Sequence, residues 1–79
     1  MRMLDVLTDK PLNNLILYLT VSEARELRSS LDDLIKNSSN NHAHISSEDY
    51  QKELTVCLYD AANLNGLNER SRKLILDDR

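Results

Sequence analysis

The sequence predicts a small α+β domain: a two-layer sandwich of about three antiparallel strands carrying one main helix and a short C-terminal helix. Three observations predict it. An apolar stripe at Ala24, Leu27, Leu31, Leu34 and Ile35 repeats at helical spacing directly after a capping sequence. Two stretches, Leu12 to Thr20 and Gln51 to Tyr59, alternate at the two-residue period of a strand. Finally, the chain has 79 residues, of which 41% are hydrophobic and only 4% aromatic, so its core is aliphatic and fits one domain.

The elements follow in order. Residues 1–11 mix charged and apolar side chains without a period, and Pro11 closes them, which predicts a docked arm with Leu4, Val6 and Leu7 touching the body. Over residues 12–20, Leu15, Leu17 and Leu19 alternate with Ile16, Tyr18 and Thr20. Both sides are largely apolar, which predicts a central strand with at least one face under a helix. Thr20-Val21-Ser22-Glu23 reads as a capping box, and the stripe after it predicts a helix over 21–36 with Arg25, Glu26, Arg28, Asp32, Asp33 and Lys36 off the stripe. Asn37 to Asn41 is a polar turn. Residues 42–46 and 51–59 are expected to pair as a hairpin, with Leu54, Val56 and Leu58 on one face and Glu53, Thr55, Cys57 and Tyr59 on the other. Asp60 caps a short turn that Gly66 interrupts, and Asn68 caps a short helix over 68–77 that buries Leu74 and Ile75.

Composition also bounds function. A formal charge of −3 argues against sequence-general nucleic-acid binding and against an anionic membrane as partner. No stretch approaches the length of a membrane span, and the start lacks the apolar run of a signal peptide. The single Cys57 permits no disulfide within the chain, so a soluble, cytoplasmic setting is expected. One glycine leaves no phosphate-binding loop.

Four groupings bear on chemistry. His42 and His44 are two apart, so on a strand both imidazoles point the same way and could share Zn²⁺ with Glu48, Asp49 or Glu53; the plainer reading is a polar edge-strand face. Cys57, flanked by Val56 and Leu58, reads as a buried structural thiol rather than a nucleophile. Arg70, Arg72 and Lys73 form the basic cluster, a weak nucleic-acid candidate because Asp77 and Asp78 follow closely. The acidic pairs Asp32-Asp33, Glu48-Asp49 and Asp77-Asp78 read as solvated surface.

The stretches Leu17 to Thr20, Glu23 to Leu27, His42 to Ile45 and Glu53 to Tyr59 together resemble a pattern found in short bacterial or phage-borne proteins of uncharacterised role, built from a strand, a capped helix and a His-containing hairpin. The resemblance covers residues 15–59 and implies a small α+β fold. It brings no activity with it. In that pattern the histidine stretch is longer, and Ala43 interrupts it here.

The expected function is therefore non-catalytic, with no cofactor: a cytoplasmic module that binds another protein or itself, possible as an inhibitor or regulator of a larger protein or as a homodimer. With the helix on one face of the sheet, the opposite face is expected to carry Ile16, Tyr18, Thr55 and Tyr59, and these are the candidate protein-binding residues.

Overall fold

A computed structural model describes residues 1–37 and 41–79, so the middle of the turn expected over 37–41 lies outside the described residues. Within them the chain is α+β, with two helices and two separate two-stranded antiparallel sheets. The order is β1 (Met3–Asp5), β2 (Lys10–Leu12), α1 (Val21–Lys36), β3 (His42–Ser46), β4 (Glu53–Cys57) and α2 (Glu69–Asp77). Tertiary contacts divide the chain into two compact units: Met1–Leu17 with Asp60–Arg79, and Tyr18–Tyr59.

In the Tyr18–Tyr59 unit, α1 begins where its capping box places it. Thr20 Oγ1 accepts from the Glu23 N–H at 3.1 Å, and Glu23 Oε1 accepts from the Thr20 N–H at 2.9 Å, so two otherwise orphaned donors are satisfied reciprocally. Lys36 in the last turn complements the helix dipole and pairs with Asp32 at 2.7 Å. β3 and β4 pair from His42↔Cys57 to Ser46↔Glu53. Alternation turns Ala43, Ile45, Leu54 and Val56 inward and leaves His42, His44, Glu53, Thr55 and Cys57 outward. α1 packs on β3, and the buried apolar side chains are Leu34 at 3% exposure and Ile45 at 4%.

The hairpin turn is held by side chains. The Ser47 hydroxyl donates to Asp49 Oδ1 and accepts from the Lys52 N–H at 3.0 Å, while Asp49 Oδ1 also accepts from the Gln51 N–H at 3.0 Å. Tyr50 sits between them with φ 58°, a left-handed conformation uncommon for a bulky residue.

In the other unit, β1 and β2 form a short hairpin in register Met3↔Leu12, Leu4↔Pro11 and Asp5↔Lys10. Asp5 starts its turn by accepting from the Leu7 N–H at 3.0 Å, and Asp9 ends it with φ 56°. Two arginines fasten this hairpin to α2. Arg2 Nε donates to the Leu74 carbonyl at 3.1 Å and lies 3.8 Å from Asp78 Oδ1, so a cation meets the last carbonyls of the helix. Arg70 Nε pairs with Asp9 Oδ1 at 2.6 Å, and its Nη2 donates to the Asp9 carbonyl at 3.1 Å. Asn68 caps α2 by accepting from the Ser71 N–H at 2.8 Å, and Leu74 is buried.

Three expectations change. The strand over 12–20 does not form: β2 ends at Leu12, and neither sheet includes residues 13–20. The β1–β2 ladder ends at the pair Met3↔Leu12, and among the described residues no strand pairs with residues 13–20. The arm over 1–11 is instead a hairpin, and Val6 and Leu7 stand exposed at its turn rather than against the body. The single sheet of about three strands is replaced by two ladders of two strands.

The stripe on α1 also divides. At about 100° per residue, Leu27, Leu31 and Leu34 spread over the side that meets β3, whereas Ala24 and Ile35 point about 80–100° away from Leu34. Ile35 is accordingly 72% exposed. Leu34→Ala is expected to destabilise the α1–hairpin unit by about 2–4 kcal/mol, and Ile35→Ala by less than about 0.5 kcal/mol. Urea unfolding followed by helix circular dichroism measures both.

Candidate functional site

The outer face of the β3–β4 hairpin is the one place where several chemically capable side chains meet. Cross-strand pairing sets His42 opposite Cys57, His44 opposite Thr55 and Ser46 opposite Glu53. His44 Nδ1 lies 2.8 Å from Glu53 Oε1 and 2.9 Å from Thr55 Oγ1. A carboxylate only accepts, so this nitrogen carries the proton. His42 Nδ1 lies 2.9 Å from Asn41 Oδ1. The two imidazoles stand edge to face, with centroids 5.4 Å apart.

Each imidazole already has a local partner, and the pair stabilises itself by edge-to-face contact. Among the described residues, no three His, Cys, Asp or Glu side chains are placed to hold a metal ion. In the adjoining turn the Glu48 backbone N–H donates to Glu23 Oε2 at 2.9 Å, and Asp49 accepts from Ser47 and Gln51.

Cys57 is exposed, which corrects its expected place in a sheet interior. β4 belongs to a ladder of only two strands, and its outward positions Glu53, Thr55 and Cys57 are exposed. The neighbouring chain still desolvates the sulfur enough to push the thiol above its usual range. A thiol so shifted is a poor nucleophile at neutral pH, because the thiolate is the reactive form.

The four proposed contact residues are not gathered on one sheet face. Ile16 falls in the Met1–Leu17 part of the chain, and Tyr18, Thr55 and Tyr59 fall in the other unit. Without a strand over 12–20, no register aligns Ile16 and Tyr18 with Thr55. Thr55 Oγ1 lies 2.9 Å from His44 Nδ1, and Tyr59 lies beyond the end of β4, where Leu58 extends the ladder by donating to the Asn41 carbonyl at 2.8 Å. What does emerge is a continuous exposed apolar run, Leu15-Ile16-Leu17-Tyr18-Leu19, in which Tyr18 is 90% exposed.

The basic trio is also reduced. Arg70 is not a free surface cation, since it is spent on Asp9 and on the Arg79 carbonyl at 2.7 Å. Arg72 and Lys73 stay exposed, with no ion pair or side-chain hydrogen bond among the described residues. Sequence reasoning passed over Tyr50, which the left-handed backbone at the hairpin tip presents at 85% exposure. The signal that could have found it was Ser47-Glu48-Asp49, a turn-forming run whose next residue has to absorb the reversal.

Glu23 is the most constrained carboxylate of this unit. The hydrogen bond from the Thr20 backbone, followed by that from Glu48, holds its carboxyl below the ordinary value of 4.5. Asp49 is lowered by the Ser47 hydroxyl first and the Gln51 N–H second. Compared with known families and proteins, the chain matches no family model, no curated protein and no solved structure. No helix among the described residues is long and apolar enough to cross a membrane.

Two outcomes follow from these shifts. A carboxyl depressed by folding stabilises the fold fully above its unfolded pKa, and that contribution fades as pH falls through the folded value. The α1–hairpin unit should therefore lose stability on acidification below pH 4.5, and Glu23→Gln should flatten that loss in melts taken between pH 6 and pH 2. Separately, Cys57 should alkylate more slowly in the folded chain than in urea at the same pH, despite its exposure. Timed iodoacetamide labelling read by mass spectrometry gives the ratio.

Proposed function

We propose that this chain is a non-catalytic protein-interaction module of the cytoplasm, acting as an inhibitor or regulator of a larger protein. The contact is made chiefly by the Leu15–Leu19 segment. Ile16 and Tyr18 are its anchors. One observation carries this reading: five consecutive apolar residues lie exposed and outside either ladder. Runs of that kind are avoided on surfaces unless they are used. An unpaired, β-prone backbone can add as a strand to the open edge of another sheet, where main-chain hydrogen bonds give affinity and alternate side chains give specificity. Tyrosine suits such a contact because it buries a rigid apolar ring and keeps a hydroxyl for the rim.

The polar groupings support the same reading by being locally occupied. His44, Thr55 and Glu53 satisfy one another, Arg70 is tied to Asp9, and the Cys57 thiol is held in its less reactive form.

Native mass spectrometry of tagged chain recovered from its source cell tests the proposal. The expected result is a stoichiometric partner whose affinity for an Ile16→Asp/Tyr18→Asp variant falls at least about tenfold, with unchanged helix circular dichroism. Recovery of the same complex by the variant overturns the assignment of the segment.

A further inference from the structure

Beyond the Leu15–Leu19 segment, α1 carries a second unpartnered surface with a different logic. An open groove of about 730 Å³ runs along the helix, lined by Ala24, Leu27, Arg28, Leu31, Asp32 and Ile35. At about 100° per residue, Val21, Ala24, Arg28, Leu31 and Ile35 fall within one narrow seam, spaced three, four, three and four residues apart. That is the spacing of a helix-pairing seam; its centre lies about 100° from Leu34, with Val21, Ala24, Arg28 and Ile35 exposed and Leu31 half-buried at its edge toward the hairpin. Arg28 sits in the middle of this seam among apolar neighbours, without an ion pair or side-chain hydrogen bond among the described residues.

We propose that this seam pairs with the same seam of a second copy of the chain, with the two α1 helices antiparallel about a two-fold axis. Charge selects both the occupant and the direction. Across such an axis, residues whose numbers sum to about 60 face each other, which brings Arg28 beside Asp32 of the second copy, and Asp32 beside its Arg28. Both residues lie toward the edge of the seam away from Leu34, as a two-fold antiparallel pair requires, and the contact of Asp32 with Lys36 is an exposed one within the helix that uses one carboxylate oxygen, Oδ2. A parallel pair would instead set Arg28 against Arg28 and Asp32 against Asp32. Size agrees with charge. The antiparallel order sets the small Ala24 of one copy against the large Ile35 of the other at each end, whereas the parallel order stacks Ile35 on Ile35 and leaves Ala24 facing Ala24. The surface is self-complementary in the way an isologous dimer needs.

The site is distinct from the strand segment, so the two readings fail independently. Sedimentation equilibrium of the full chain should show a concentration-dependent dimer. Arg28→Asp and Asp32→Arg should each weaken it at least about tenfold, and the double variant Arg28→Asp/Asp32→Arg should restore it, because only a mutual pair is repaired by exchange. All these positions are exposed, so helix circular dichroism should stay unchanged. A second measurement fixes the register. In a Cys57→Ser background, an Ala24→Cys/Ile35→Cys variant should oxidise to a covalent dimer. The two positions are about 16 Å apart along one helix, beyond the reach of about 7 Å for a disulfide within it.

A monomer throughout the accessible concentration range overturns the proposal. So does a dimer unaffected by either charge reversal, or one that is lost in Ile16→Asp/Tyr18→Asp but not in Arg28→Asp, which assigns self-association to the strand segment instead.

Discussion

The arrangement of α1 and its hairpin depends on one carboxylate. Glu23 gives one oxygen to the Thr20 N–H and the other to the Glu48 N–H, so the group that closes the helix cap also grips the β3–β4 turn. A capping box is a local device, worth about 1 kcal/mol to the helix it starts. Extending it to a residue 25 positions away makes it a tertiary constraint, because the start of α1 cannot move relative to the turn without orphaning a backbone donor. The apolar side of the same contact is slender, with Leu34 and Ile45 as its buried side chains. In a contact with so little apolar depth, a geometric tie at one end does much to keep the helix seated on β3 rather than rolling about its axis.

That seating decides which part of the apolar stripe is used. The helix boundaries were legible to the residue, 21 to 36, because Thr20, Glu23 and the three-four spacing are all local signals. β3 over 42–46 and the Asn68 cap were legible for the same reason. Which half of the stripe meets the hairpin was not, since that depends on the pull of Glu23 on Glu48 across the fold. Likewise, periodicity at 12–20 reported which side chains share a face, but a strand also needs a neighbour for its backbone. That neighbour is a non-local fact, and among the described residues the β1–β2 ladder stops at Met3↔Leu12. Arg2 on the Leu74 carbonyl is the extreme case, a contact spanning 72 positions that no local pattern announces.

The histidines show how much of a short motif spacing alone conveys. Spacing put His42 and His44 on one side of β3, as expected. What spacing could not supply was the use of each ring. Asn41 and Glu53 engage the two Nδ1 atoms, and Thr55 sits opposite His44, so the pair is absorbed into the hairpin's own polar face. Arg70 follows the same course: a candidate for phosphate by composition, it instead fastens the β1–β2 turn to α2.

Both unused apolar surfaces trace to the same shortage. A ladder of two strands is narrower than the apolar arc of a 16-residue helix, so part of α1 is left uncovered. A strand-forming sequence without a partner strand leaves Leu15 to Leu19 uncovered as well. Isolated two-stranded hairpins are marginal in water and gain most from a third strand or a further layer. The two surfaces call for different partners. An extended segment offers backbone donors and acceptors, which suits the edge of another sheet. The α1 seam offers none, since its amides are spent within the helix, and it presents instead an arginine whose complement, Asp32, lies one turn further along the same seam. A surface that carries both halves of its own charge pair, in the order that an antiparallel copy can read, is met most economically by a second copy of itself.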